Sequence, residues 1–212
     1  VKSNLIGQEK FKLKVADVEI SELVTTIEVK KGQNIFNLIT DQFYHLGYLN
    51  CSIDSINEER EIVFVTAGQK YNWNRMTFSK NDEALFSKLN FNQKKWTNHS
   101  LSLQQLNNLK FKTITYLENI GYPFASFNFD NILFSDSTAS AKIKINYGPK
   151  IAIDSLIISS ETEIAHHYIS NYIEIKKGAN YNENIIRNLS TRLKEISFIT
   201  EVSKPKIYFS NQ

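Results

Sequence analysis

The chain has 212 residues, of which 42% are hydrophobic and 22% charged, an ordinary globular balance that can fill a core. That length fits one large domain or two to three small ones. The net charge of +3 is too small to indicate a nucleic-acid partner, which usually calls for a concentrated basic face. No run of about 18 apolar residues occurs, so no transmembrane helix is predicted.

The start of the chain has the pattern of a strand. Phe11 and Leu13 alternate with Lys12 and Lys14, which predicts a strand with one solvated face. Residues 23–29 are compatible either with a second strand or with a degenerate first helix, and the sequence leaves both open.

A helix and two further strands are predicted next. Asn34 is a candidate N-cap, and Gly47 is placed to end the helix that follows it. Residues 49–56 predict an extended segment. Residues 61–66 are apolar on both faces, so we expect them to form a central strand.

A second group of the same elements follows. Residues 71–78 predict a strand and residues 81–89 a short helix. Ser102, followed three residues later by Gln105, has the spacing of a capping box and predicts a long helix that ends at Gly121. The apolar stripe assigned to that helix consists of Leu103, Leu106, Phe111, Ile114, Leu117 and Ile120.

A predicted strand pair completes this group. Pro123 prevents the helix from resuming, and residues 125–133 predict an extended segment. Residues 135–138 predict a turn. Residues 141–147 alternate between apolar and polar side chains, which predicts a strand that ends before Gly148.

The last third of the sequence begins with another apolar segment. Residues 151–159 predict a strand, and Ser160 and Glu163 have capping-box spacing for a helix. Asn182 is a candidate N-cap for the last helix. Residues 201–210 predict an extended segment, interrupted by a proline.

Glycine motifs recur along the chain at long intervals. Gly121-Tyr122 repeats Gly47-Tyr48 after 74 residues, and Gly148 repeats Gly68. A Lys-Lys-Gly motif that ends at Gly178 repeats one found near the first helix. Internal recurrence over such a distance indicates an array of small domains, each consisting of one supersecondary unit.

Three repeats of strand–helix–helix–strand–strand order are therefore predicted, in the α+β class. They cover residues 1–70, residues 71–149 and residues 150–212. The first is expected to have a degenerate first helix, and the third to lack its last strand.

These residues resemble tandem polypeptide-transport-associated (POTRA) domains, as found in the periplasmic part of BamA/TamA-type outer-membrane assembly proteins. The resemblance implies β-α-α-β-β units, each with two helices packed on a three-stranded mixed sheet. The motif residues end the second helix, close the last strand of a repeat or open the next one. They are Gly47, Tyr48, Gly68, Tyr71, Gly121, Tyr122, Gly148, Pro149 and Gly178.

The resemblance also implies a function. Such domains receive unfolded outer-membrane client polypeptides, or dock accessory envelope proteins, in the periplasm. A C-terminal membrane β-barrel follows them in the family and is expected to attach the full-length chain to the outer membrane. The implied binding mode is β-augmentation, in which an extended polypeptide joins an exposed sheet edge through main-chain hydrogen bonds.

The family's binding edge can be carried over to this sequence. In the family the second strand of each unit lies at a sheet edge beside the second helix, which makes residues 50–56, 125–133 and 201–209 the candidate edges. Phe134 also suits a surface that accepts client side chains. The residues assigned to polypeptide binding are Ala125, Ser126, Phe127, Asn128, Phe129, Asp130, Asn131 and Ile132.

No residue pattern predicts catalysis, a metal site or a cofactor. His166 and His167 are adjacent, so their side chains point about 100° apart on a helix. Only Glu163 could share a face with His167, whereas zinc sites need three or four ligands. Cys51 is interpreted as a small half-buried residue, because the sequence places no base near it.

Two functions remain open from the sequence. One is a non-enzymatic polypeptide-binding array, and the other is a structural spacer or scaffold of an outer-membrane or cell-envelope complex. Proline substitutions along residues 125–133 would separate them, because augmentation needs the main-chain N–H groups of that segment and a spacer does not.

Overall fold

The computed structural model describes residues 9–19, 24–30, 32–160 and 166–210. The chain divides into two compact units, one formed by Val1–Lys110 and Asn128–Lys144, the other by Phe111–Phe127 and Ile145–Gln212. The dividing line runs through the middle predicted repeat, so the three-repeat division stays a prediction. Within the described ranges, no helix is both long enough and apolar enough to span a bilayer.

The first sheet has four strands and one helix packed against it. The strand order is β2-β1-β4-β3, with β1 parallel to β4 and the outer two strands antiparallel to their neighbours. The apolar strand expected at the centre is β4, whose Val63 and Val65 are fully buried. The elements are β1 (Glu9–Val15), β2 (Thr26–Val29), α1 (Ile35–Leu46), β3 (Ser52–Asn57) and β4 (Ile62–Thr66).

Strand β2 corrects the prediction of a degenerate first helix and of a three-stranded sheet in the first repeat. Ile27 is buried between the exposed residues Thr26 and Glu28, which is the alternation of a strand. β-branched residues dominate this stretch and favour extended backbone. Glu28 also forms an ion pair with Lys10 of the neighbouring strand (2.8 Å).

Helix α1 begins and ends where the sequence predicts. The side chain of Asn34 accepts a hydrogen bond from the Phe36 N–H (2.8 Å), and Gly47 ends the helix with φ of 95°. Ile39 and Phe43 are fully buried and pack with Phe11 and the other inward residues of the sheet.

The second sheet has three strands in the order β5-β7-β6, with β5 parallel to β7. Together with the first sheet and the helices, it confirms the predicted α+β class. The elements are β5 (Asn72–Thr77), a 3-10 turn (Lys80–Asp82), α2 (Glu83–Lys88), a 3-10 turn (Gln93–Lys95), α3 (Leu103–Asn119), β6 (Ser126–Ser135) and β7 (Thr138–Asn146).

Helix α3 corrects two members of its predicted stripe, since Ile120 lies beyond the end of the helix and is exposed, and Phe111 is exposed as well. Ser102 accepts a hydrogen bond from the Gln105 N–H (3.4 Å), as the capping-box spacing predicts. Phe111, however, is 66% exposed. It follows Leu106 by five residues, which places it about 140° around the helix from the buried face. The buried side chains are Leu106, Leu109, Thr113 and Leu117.

The region after β7 is helical and contains no regular strand among the described residues. The helices are α4 (His166–Tyr172), α5 (Glu183–Arg187) and α6 (Leu189–Lys194). Asn182 caps α5 by accepting a hydrogen bond from the Ile185 N–H (3.1 Å), as predicted. Glu163 of the predicted capping box lies outside the described residues. The core of this region is formed by Ile169, Ile173, Ile175 and Leu189.

The strand predicted over residues 151–159 is therefore wrong, and the candidate edge at residues 201–209 joins no sheet among the described residues. Residues 151–159 make one isolated bridge, between Ala152 and Asn180, and residues 201–210 have no β-pairing. In each of the two sheets the last strand is central, since β4 lies between β1 and β3, and β7 lies between β5 and β6. The described residues after β7 provide no strand for that central place, so the two segments lack a common partner. Pro205 also lacks an N–H for a ladder.

Candidate functional site

The outer side of β5 is already covered by a loop. Trp73 donates its N–H to the His99 carbonyl (2.8 Å), and its own carbonyl accepts from the Asn98 N–H (2.7 Å). Leu101 donates its N–H to the carbonyl of Tyr71 (2.9 Å). Because this loop occupies the β5 side, a further strand can join the sheet only beside β6, beyond which the described residues contain no strand.

The first sheet also covers its first strand, in this case with β2, and leaves β3 at the edge. That edge is short and irregular. A bulge interrupts the pairing of β3 with β4 between Ile53 and Ser55. The Asp54 carboxylate accepts hydrogen bonds from the hydroxyls of Ser52 (3.1 Å) and Thr66 (2.8 Å). Strand β3 has six residues and β6 has ten, so β3 offers the shorter docking edge.

The residues assigned to polypeptide binding fall on β6, except Ala125, which immediately precedes it. They divide by burial. Phe127 is buried and belongs to the core, while Ser126 and Phe129 are half-buried. The exposed members of the set are Asn128, Asp130, Asn131 and Ile132.

The assigned set stops too early to include the most exposed apolar side chains. Leu133 is 68% exposed and Phe134 55% exposed, next to Ile132 at 50%. Three neighbouring apolar residues on a sheet edge offer a contact surface for another polypeptide. The three apolar residues are consecutive in the sequence, and this could have indicated the exposed surface.

A backbone irregularity lies inside β6. Asn131 has φ of 51°, and its N–H is bonded to the carboxylate of Asp130 (3.0 Å). Left-handed backbone inside a strand is typical of a β-bulge, and asparagine tolerates it better than most residues, so we call this irregularity the Asn131 bulge. The Asp-Asn pair within an apolar strand was the sequence signal for this feature.

The bulge reverses the side-chain alternation of β6. Before it, the odd-numbered Phe127 points into the core. After it, the even-numbered Phe134 packs edge-on against Tyr71, with ring centroids 5.3 Å apart. Tyr71 immediately precedes β5 and lies two residues before the buried Trp73, which is the spacing of side chains on one face. Phe134 therefore lies on the same face as Tyr71, where alternation also places Ile132, and Leu133 lies on the opposite face.

The Gly-Tyr motifs make equivalent hydrogen bonds at the two places where one predicted repeat meets the next, and we call these places the junctions. The Gly47 carbonyl accepts the Tyr71 N–H (2.8 Å), and the Gly121 carbonyl accepts the Ile151 N–H (2.7 Å). The residue that donates this N–H also accepts a second hydrogen bond, through its own carbonyl, from the segment before the next helix. The carbonyl of Tyr71 accepts from Leu101, and that of Ile151 accepts from Tyr181, both at 2.9 Å.

Gly68 and Gly148 also correspond. Their φ angles are 72° and 66°, and a Cβ on either would lie 3.2 Å from a backbone carbonyl oxygen, that of Asn50 or of Phe124. Gly178 has φ of 81° with open space around it. The recurrence in the sequence thus corresponds to a recurrent backbone geometry.

The tyrosines and the proline of the motifs have different surroundings. The ring of Tyr48 packs edge-on against Phe43, at 6.1 Å between centroids. Tyr122 packs in the same way against Tyr147, at 5.4 Å. Pro149 is exposed.

Other reactive side chains are not assembled into a site. In the described parts of the chain, no group of three or more His, Cys, Asp or Glu side chains could hold a metal ion. Nε2 of His167 lies 2.8 Å from Nδ2 of Asn171. Cys51 is half-buried, and burial raises the pKa of its thiol, which disfavours the reactive thiolate.

No family model and no curated protein matches the sequence. Among solved structures, POTRA3-5 of Haemophilus influenzae BamA aligns with 92% of this chain and 89% of that chain, with a TM-score of 0.52 and 18% identity. POTRA1-3 of the periplasmic domain of Omp85 from Anabaena aligns with 93% of this chain and 89% of that chain, with a TM-score of 0.38 and 11% identity. The first alignment shows that the chain has the POTRA fold.

Proposed function

We propose that this chain is a periplasmic polypeptide-binding module of an outer-membrane protein assembly or translocation factor, and that β6 is its docking edge. The observation that carries the proposal is the asymmetry of the second sheet. A loop occupies the outer side of β5, whereas β6 is ten residues long and ends the sheet. The POTRA fold, shared with a BamA fragment, supports the same reading.

The physical mode of binding is β-augmentation. An extended polypeptide laid beside β6 exchanges N–H and C=O bonds with the strand, and these bonds do not depend on the sequence of the client. Each such bond contributes roughly 0.5–1.5 kcal/mol net, so four or five of them give a weak, reversible complex once association costs are subtracted. Weak binding suits a module that passes clients on.

The expected partners follow from this role. They are unfolded outer-membrane clients or accessory envelope proteins, and a C-terminal membrane β-barrel would hold the module at the outer membrane. Binding and handover need no catalytic residues or cofactor. The division into residues 1–70, 71–149 and 150–212 is retained in this proposal as three POTRA-like units.

A structural spacer is the second candidate, and the junctions favour it. At each one a glycine carbonyl accepts the N–H of a residue at the start of the next predicted unit, at 2.8 Å and 2.7 Å. Chain connections of this kind suit a scaffold that holds other components at a fixed distance. A spacer needs no docking strand.

A binding experiment with a peptide whose main-chain N–H groups are blocked distinguishes the two candidate functions. The probe is a fluorescein-labelled nine-residue peptide in which isoleucine alternates with threonine and lysine. Two N-methyl groups on adjacent central residues block both edges of this strand, and the control peptide carries the same groups on its last two residues.

Augmentation predicts that the central methyl groups weaken binding by roughly tenfold or more, and that the terminal ones change it by less than about twofold. Fluorescence anisotropy titration with the whole chain measures both. If none of the peptides binds, the spacer is favoured. If central methylation has no effect on an observed complex, main-chain pairing is refuted.

A further inference from the structure

Residues 132–135 extend the second sheet beyond what the repeat requires. Between the equivalent glycines, 21 positions separate Gly47 from Gly68, whereas 27 separate Gly121 from Gly148. The additional residues lengthen the hairpin, since β6 has ten residues and its counterpart β3 has six. Ile132, at 50% exposure, begins a segment of β6 that lies outside the core.

Asn131 stands at the start of this extension and sets its orientation. Its left-handed backbone, with φ of 51°, places Phe134 on the face where it meets Tyr71. Without the bulge, regular alternation would carry Leu133 to that face instead, because a shift of one residue exchanges the two faces of a strand.

We infer that residues 132–135 are the part of β6 that selects among incoming polypeptides, and that Asn131 is the residue that positions them for it. The inference rests on the proposed function. The occupant is an extended strand with apolar side chains at every second position. Two such side chains would lie directly opposite Ile132 and Phe134, with about 4.5–5.5 Å between Cβ atoms, as in cross-strand pairs.

The chemistry of residues 132–135 favours this occupant over a charged one. The segment has the sequence Ile-Leu-Phe-Ser and contains no ionisable side chain. Ile132 and Phe134 leave about half of their surfaces exposed, at 50% and 55%, which a docked strand can cover. Selection therefore acts through apolar contact on one face, in addition to sequence-independent main-chain pairing.

The first experiment compares the two faces. The alternating peptide described above and a scrambled peptide of the same composition are titrated against the whole chain. The double variant Ile132→Ser/Phe134→Ser is expected to bind the alternating peptide roughly tenfold more weakly and to lose the preference over the scrambled one. Leu133→Ser is the matched control and is expected to change neither. Equal losses for the two faces would overturn the inference.

The second experiment tests whether Asn131 decides which side chain peptide binding depends on, Leu133 or Phe134. Valine disfavours left-handed backbone, so Asn131→Val is expected to regularise the strand and bring Leu133 to the docking face. In that background Leu133→Ser should weaken binding and Phe134→Ser should not. Deleting Asn131 removes the left-handed residue and leaves the faces of the flanking residues as they are, so it should keep the dependence on Phe134. If Asn131 had only a structural role, Asn131→Val would not shift the binding loss from Phe134→Ser to Leu133→Ser.

Each outcome separates the two proposals. If the alternating and scrambled peptides bind equally and central N-methylation still abolishes binding, augmentation stands and the selective role of residues 132–135 is refuted. If neither peptide binds, both fail. Should Asn131→Val not fold, as judged by circular dichroism, the comparison of the Leu133 and Phe134 variants decides.

Discussion

Replacing Gly47 by alanine tests how much the close packing at the first junction contributes to stability. Gly47 has φ of 95°, and a Cβ added there would lie 2.8 Å from the Tyr71 carbonyl oxygen. Gly32 is the matched control, because its φ is 86° and nothing lies within 4 Å of the corresponding Cβ position. Both substitutions therefore carry the backbone cost of a left-handed residue, and only one carries the clash.

The magnitudes follow from these contacts. Left-handed backbone costs an alanine roughly 1–2 kcal/mol at either position. At Gly47 the clash also forces the Tyr71 carbonyl to move, and that carbonyl accepts the Leu101 N–H at 2.9 Å. Loss of this bond adds about 1 kcal/mol. We expect Gly47→Ala to lower the free energy of unfolding by about 2–4 kcal/mol and Gly32→Ala by about 1–2 kcal/mol.

Urea unfolding followed by tryptophan fluorescence measures this difference. Both tryptophans of the chain, Trp73 and Trp96, belong to the first compact unit, as do the two glycines. The signal therefore reports the unit that is perturbed. If the two variants lose the same stability, the close approach at the junction contributes nothing and the reasoning is refuted.

Two further predictions concern hydrogen bonds. Burial raises the pKa of Asp17, but the N–H groups of Ala67 and Gly68 (both 2.9 Å) lower it by more, so the folded value is depressed. Asp17→Asn should cost about 1 kcal/mol at pH 7, discounted for solvent screening, and the difference should vanish as the pH of urea titrations falls through the folded pKa. The Asn119 side chain accepts the Asn184 N–H (2.8 Å) at the start of α5. Asn119→Ala should speed exchange of that amide roughly fivefold in hydrogen-exchange measurements, with Asn108→Ala unchanged.

Local signals in the sequence predicted the elements whose ends are fixed by single residues. Asn34 and Asn182 cap helices through their own side chains, and Gly47 ends a helix by its positive φ, so each signal is contained in a few neighbouring residues. The same holds for β4, whose apolar run predicted a central strand. Short-range chemistry was sufficient in these cases.

Features that depend on distant partners were not predictable in the same way. Residues 26–29 have a composition suited to a strand, but they form one because β1 offers an edge and Lys10 pairs with Glu28. Residues 151–159 have a similar apolar pattern and form no strand, since the described residues provide no central partner. A strand is a property of a pair, whereas the alternation of one segment describes only one member.

The candidate site includes one feature that the sequence predicted and one that it did not. The edge position of β6 was expected from the family and is found in the sheet order, while the orientation of its outer side chains depends on one backbone angle, that of Asn131. Without that bulge, a strict alternation from Phe127 would place Leu133, not Phe134, on the side of the core. The apolar composition of residues 132–135 could thus be taken from the sequence, but which of their side chains share a face with Tyr71 is set by the backbone at Asn131. This is why the substitutions at Leu133 and Phe134, which are chemically similar, are expected to have different effects.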